Sequence, residues 1–139
     1  MVQLIVGRKG KGKTKSLLDR VNSEVKTASG NVVYLDKSTE HMFELNNRIR
    51  LICVPDYGID NTDQFLGFVS GILSQDHDLQ QMYFDSFLKI SRIGDGDLAP
   101  ALDKLQLLSD KFDVDFILSI SRDEHELPES AKSMITIAL

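Results

Sequence analysis

The stretch Val2-Gln3-Leu4-Ile5-Val6-Gly7-Arg8-Lys9-Gly10-Lys11-Gly12-Lys13-Thr14 governs how the rest of the chain is read. Five mostly apolar residues run straight into a glycine- and lysine-rich turn, and a helical pattern follows. Gly7, Gly12, Lys13 and Thr14 occupy every fixed position of G-x-x-x-x-G-K-[ST], the pattern of a loop that wraps phosphate oxygens. Such a loop must turn successive backbone N–H groups inward, which needs backbone angles that side-chain-bearing residues resist. Gly10 adds a third permissive position. The following helix offers the anion its unpaired N–H groups and the positive end of its dipole. Lys13 is expected to reach the terminal phosphates, and the Thr14 hydroxyl to sit on Mg²⁺, which takes oxygen ligands. Arg8, Lys9, Lys11 and Lys15 complete the set expected around the nucleotide, as steering charge or as a solvated rim.

Working outward, short β-branched runs alternate with helical patterns, which implies an α/β fold with a mostly parallel sheet. The expected strands are 2–6, 31–36, 50–54, 80–86, 114–120 and 134–139. A helix is predicted over 13–28, with Leu17, Leu18, Val21 and Val25 on one face and Gly30 as its stop. A short helix is expected near 39–46. Another is capped by Thr62 and buries Phe65, Val69, Ile72 and Leu73. The last starts near Pro100 and repeats Ala101, Leu102, Leu105 and Leu108 after a glycine-rich loop, 92–97. Nothing divides the chain, so residues 1–139 read as one domain.

Composition narrows the function classes. The chain has 139 residues, 42% apolar and 27% charged, with a net charge of −5. Five positive charges fall in residues 8–15, leaving the remainder near −10. That balance argues against a nucleic-acid-coating surface. No apolar run is long enough to span a bilayer or to serve as a signal peptide, so a cytoplasmic location is expected. Cys53, the single cysteine, excludes an internal disulfide and reads as a buried, inert thiol. His41, His77 and His125 read as surface residues, without metal-ligand spacing.

A phosphate loop works with an acid at the end of a neighbouring strand, which holds Mg²⁺ directly or through water. Asp85, closing Met82-Tyr83-Phe84, is the first candidate, and Asp36, closing Val32-Val33-Tyr34-Leu35, is the second. Tyr83-Phe84-Asp85-Ser86-Phe87-Leu88 resembles the magnesium-site strand of RecA-type ATPases. Val33-Tyr34-Leu35-Asp36 resembles that group's second strand, and Ile117-Leu118-Ser119-Ile120-Ser121-Arg122 its γ-phosphate-sensing strand. The chain is also similar to small bacterial proteins loosely labelled twitching-motility ATPases of the PilT type. Pilus-retraction motors are much longer and carry acidic and histidine-rich motifs absent here.

The resemblance implies a three-layer α/β/α P-loop NTPase fold of the RecA-like (ASCE) kind, with ATP and Mg²⁺ as ligands. It also implies a catalytic Glu after the second strand, where this chain runs Asp36-Lys37-Ser38-Thr39-Glu40. Glu40 is therefore the nominee for positioning water, with Lys13 as the charge-neutralising catalytic group. Hydrolysis is expected to be slow or partner-stimulated, since RecA-like domains often complete their site with an arginine from a second subunit or larger partner. The absence of an Asn-Lys-x-Asp element argues for ATP over GTP. Two other readings stay open. One is a small-molecule or nucleoside kinase, with Arg92, Arg122 and loop 91–97 as its lid. The other is a nucleotide-responsive binding module with little turnover.

Overall fold

In the computed structural model, which describes residues 1–139, six strands form one sheet: β1 (Val2–Val6), β2 (Asn31–Asp36), β3 (Ile49–Cys53), β4 (Leu79–Phe84), β5 (Asp115–Ile120) and β6 (Ile135–Ala138). Their spatial order is β3-β2-β4-β5-β1-β6, and every neighbouring pair is parallel. Four α-helices connect them: α1 (Lys13–Glu24), α2 (Thr62–Gln75), α3 (Phe87–Ile90) and α4 (Ala99–Phe112). No helix is long and apolar enough to cross a membrane.

A parallel strand buries side chains on both faces, so consecutive residues serve opposite layers. Along β2, Val33 and Leu35 join one apolar cluster, while Val32 and Tyr34 join the other. Along β5, Phe116, Leu118 and Ile120 face the first cluster and Ile117 the second. The first cluster carries the buried stripes of α2, α3 and α4, and the second carries Leu17, Leu18 and Val21 of α1. The result is the three-layer α/β/α arrangement expected from the alternating pattern. Phe84 anchors the thicker side, with ring centroids 5.5–6.1 Å from those of Phe65, Phe87 and Phe116.

Several local expectations need correction. Asn61, not Thr62, caps α2, since its side chain accepts from the Gln64 N–H at 2.9 Å. The Thr62 hydroxyl donates to the Ser91 carbonyl instead, at 2.9 Å. Helix α1 ends at Glu24, four residues early, because a turn over 25–27 precedes Gly30. The helix expected over 39–46 shrinks to one 3₁₀ turn, Met42–Glu44. Val54, expected in β3, opens another 3₁₀ turn, where Pro55 supplies no N–H to a ladder. Cys53 is half-buried rather than buried, and burial pushes its thiol above the usual range. Helix α3 was not foreseen. It starts directly after Ser86, which holds a left-handed φ of 54°.

Because all strands are parallel, their carboxyl ends share one edge of the sheet. Gly7 follows β1, Asp36 ends β2, and Asp85 follows β4. Ser119 and Ser121 lie at the end of β5. An open α/β sheet binds its ligands at that edge. Strand β5 separates β1 from β4, so a contact between the glycine loop and Asp85 must cross over Ser119.

Candidate functional site

The loop after β1 takes the conformation its glycines permit. Gly10 and Gly12 have φ of 87° and 91°, which a side chain would strain. Gly12 is the N-cap of α1 and supplies no side-chain cap. No acidic residue occupies the first turn. The first N–H groups of this twelve-residue helix therefore face the cleft without an intrahelical partner, as an anion site requires.

Lys13 is 7% exposed and donates to the Arg8 carbonyl at 3.0 Å. It has no carboxylate partner at bonding distance, and burial draws its ammonium below the usual range against the pull of Asp85. A buried cation held by one loop carbonyl is free to exchange that acceptor for an anionic oxygen.

Asp85 is 2% exposed and collects three hydroxyl donors. Its Oδ1 accepts from Thr14 Oγ1 at 3.1 Å and from Ser119 Oγ at 3.0 Å, and its Oδ2 accepts from Tyr34 Oη at 2.8 Å. Ser119 Oγ also accepts from the Ser86 N–H at 2.9 Å, which ties the β5 end to the turn behind Asp85. Burial and the neighbouring Asp85 carboxylate push the Tyr34 hydroxyl well above its ordinary pKa, keeping it a donor.

Asp36 is 1% exposed. Its Oδ1 accepts from the Lys37 N–H at 2.7 Å, and its Oδ2 is buried without a partner. Burial, then the charge of Asp85, raises its carboxyl from 3.8 to about 6. His41, expected at the surface and away from any metal cluster, is half-buried. It brings a ring nitrogen to within 4.8 Å of carboxylate oxygens of both Asp36 and Asp85. His77 and His125 are exposed, as expected. The short turn after β2 carries His41 back over the sheet edge, and single-letter spacing gave no sign of it.

A cleft of about 800 Å³ opens onto Lys13, Thr14, Asp85 and Ser119. Its basic side chains are Lys9, Lys13, Lys37, Lys89 and Arg92, and its acids are Asp85 and Asp95. The repulsion of Lys37, then of Lys9, draws the Lys89 ammonium below its usual range. Such like-charge convergence is unfavourable unless an anion lies between the amines. Lys37 and Lys89 were not singled out in the sequence, where each is one of many scattered lysines.

The remaining basic residues of the loop are directed elsewhere. Arg8 Nε lies 3.9 Å from Asp123, Lys15 pairs with Asp19 at 2.8 Å, and Lys11 is exposed outside the cleft lining. Glu40 is also outside it, exposed, with Oε1 3.4 Å from His41 Nε2. Arg122 donates to the carbonyls of Gly94 and Gly96 at 2.8 and 2.7 Å, and Arg92 Nε to that of Ile59 at 3.1 Å. Both arginines fasten loops.

This sheet order and three-layer packing define a RecA-like α/β/α fold. A solved structure of the flagellar accessory protein FlaH from Methanocaldococcus jannaschii is similar, with a TM-score of 0.59 at 13% identity. The match covers 95% of this chain and 65% of that one, so this chain spans less than two thirds of FlaH. No family model and no curated protein matches the sequence. The likeness concerns the fold alone.

Proposed function

We propose that this chain binds Mg-ATP in the cleft between the 7–14 loop and Asp85, and hydrolyses it slowly. The observation that carries the reading is the pairing of Thr14 Oγ1 with Asp85 Oδ1 at 3.1 Å, beside a buried Lys13 that has no carboxylate partner at bonding distance. Two adjacent oxygens on an octahedral Mg²⁺ at about 2.1 Å stand roughly 3 Å apart, so this pair fits the ion. Mg²⁺ would supply charge neutralisation between phosphate oxygens.

The chain's own residues account for the rest. The glycine loop and the start of α1 bind the phosphates through N–H groups. Lys13 exchanges the Arg8 carbonyl for a terminal phosphate oxygen. Lys37 and Lys89 face the same space and offset charge from the opposite wall. Tyr34 and Ser119 hold the Asp85 carboxylate in one orientation, and Thr14 is the residue it shares with the loop. Asp36 stands behind as a second acid on the metal side.

A nucleotide-responsive binding module is the second reading. The exposed position of Glu40 favours it, since no glutamate projects into the cleft to orient an attacking water. The kinase reading loses its lid, because Arg92 and Arg122 are committed to backbone carbonyls.

The test is thermal denaturation with Mg-ATP, Mg-GTP and Mg-ADP. Ligand at a hundred times its dissociation constant stabilises a fold by about 2.7 kcal/mol, or several degrees for a domain of this size. Mg-ATP is expected to exceed Mg-GTP. No shift at millimolar Mg-ATP would overturn the reading.

A further inference from the structure

Behind Asp85, on the side away from the glycine loop, the end of β2 and the turn after it assemble a different set of donors. Asp36, His41 and Asp85 each present one ligand atom, and these atoms lie within 4.8 Å of one another. Asp36 is 1% exposed, and its Oδ2 has no hydrogen-bond partner. A buried carboxylate oxygen without a donor is costly and calls for a cation or a proton source. Asp85 accepts only hydroxyl hydrogen bonds, three in all. An ionised carboxylate has about four acceptor sites, so one remains open.

The histidine is prepared in a way that a surface imidazole is not. Its Nδ1 lies 2.5 Å from Glu44 Oε2, which fixes the ring, and a cation bound at Nε2 would require the proton to sit on Nδ1. Glu40 Oε1 stands 3.4 Å from that Nε2. Two ligands of a tetrahedral ion at about 2.0–2.1 Å are separated by roughly 3.3 Å, so Glu40 can serve as a further oxygen donor.

We infer that Asp36, His41 and Asp85, with Glu40 at the rim, form a binding site for one divalent transition cation of the zinc–cobalt class, distinct from the magnesium position at Thr14. The imidazole sets the preference. Mg²⁺ favours an all-oxygen octahedral shell and keeps much of its water, whereas Zn²⁺ and Co²⁺ accept mixed nitrogen and oxygen ligands in a four-coordinate shell. Ligands of such an ion stand about 3.3 Å apart, so the widest spacing in the set has to close by up to about 1.5 Å. The movable members are His41 and Glu40, on the turn, whereas Asp36 and Asp85 are held by the sheet. Asp85 is shared with the proposed magnesium position, but none of the ligands belongs to the glycine loop, so cation binding here is read in the absence of nucleotide.

The experiment is titration of the chelator-stripped, nucleotide-free full chain with Co²⁺, followed by its visible absorption and by competition with Zn²⁺ and Mg²⁺. One Co²⁺ per chain is expected, displaced by equimolar Zn²⁺ and retained in millimolar Mg²⁺. His41→Ala should weaken binding at least tenfold. Glu44→Gln, which only disturbs the ring's orientation, should weaken it about tenfold. His77→Ala should titrate as the wild type. The turn carrying His41 lies outside the core, so circular dichroism of these variants should match that of the wild type. No saturable Co²⁺ band, equal binding by His41→Ala, or easy displacement by Mg²⁺ would each overturn the proposal. Mg-ATP binding measured on the same preparation separates a failure here from a failure of the nucleotide reading.

Discussion

Thr14 Oγ1 and Asp85 Oδ1 are 3.1 Å apart although 71 positions separate them in the chain. The contact passes over the end of β5, whose Ser119 donates to the same carboxylate oxygen at 3.0 Å. A loop residue, a strand-end acid and the strand between them thus share one oxygen atom. A change at the loop is therefore felt directly by the residue that would hold a metal.

Lys13→Ala should reduce Mg-ATP affinity about ten- to a hundredfold. The side chain supplies a charge-assisted hydrogen bond worth about 1.5–3 kcal/mol, and each 1.4 kcal/mol is a factor of ten. Isothermal titration calorimetry reads the change directly. An unaltered dissociation constant would locate the nucleotide elsewhere.

Asp85→Asn should weaken the magnesium dependence of ATP binding more than it weakens binding of ATP without metal. The amide keeps the size and one carbonyl oxygen but loses the charge that holds the cation and its water shell. Asp36→Asn should change the magnesium titration less. If Asp36→Asn produces the larger change, the two acids have exchanged roles.

How far the sequence reveals this site depends on range. Strand β1, the glycine turn after it and the start of α1 were legible because backbone torsion constrains contiguous residues. Asp36 and Asp85 were legible because each closes an apolar run at a strand's carboxyl end. The Ser119 bridge, the Tyr34 donor and the approach of Lys37 to Lys89 were not, because they depend on which strands lie side by side. His41 was misjudged for the same reason. Its neighbours in sequence are polar, but the turn returns it to Asp36. Thr62 was read as the cap of α2, but its hydroxyl reaches the Ser91 carbonyl, and the Asn61 side chain takes the Gln64 N–H instead.

The Asp36 carboxyl carries a pH signature. In the fold its pKa rises from 3.8 to about 6, so the native state binds the proton more tightly than the unfolded chain does. The associated stability is complete below about pH 4 and is lost as pH rises through about 6. At 1.36 kcal/mol per pH unit the loss is at most about 3 kcal/mol, and less where solvent reaches the cleft. Asp36→Asn removes it. In urea denaturation with chelator and without nucleotide, this variant should gain on the wild type between pH 4.5 and pH 7.5. A difference between the two proteins that does not vary with pH would contradict this account.

Turnover by the isolated chain should be slow, well below 1 s⁻¹, near the low end of ordinary enzymes. Lys13 would supply part of the charge neutralisation, but Arg92 and Arg122 are fastened to carbonyls and Glu40 is exposed. An arginine finger is worth roughly 10³–10⁵ in turnover where it has been supplied or removed. Single-turnover phosphate release with wild type and Glu40→Gln should give similar, slow rates. A fast rate abolished by Glu40→Gln would mean that Glu40 swings inward when nucleotide binds.

The sheet order also sets a timetable for biogenesis. Strand β1 pairs through Val2–Val6 with Phe116–Ile120 on one side, and through Leu4–Val6 with Ile135–Ala138 on the other. Strand β1 therefore waits for partners that lie more than a hundred residues further along the chain. At about 5–20 residues per second, more than a hundred residues take on the order of ten seconds to follow it. During that interval an apolar strand has two open edges, and the glycine loop has no β5 or Asp85 to close against. A nucleotide at that loop would thus stabilise only the finished sheet, and the edges of β1 stay unpaired throughout the wait.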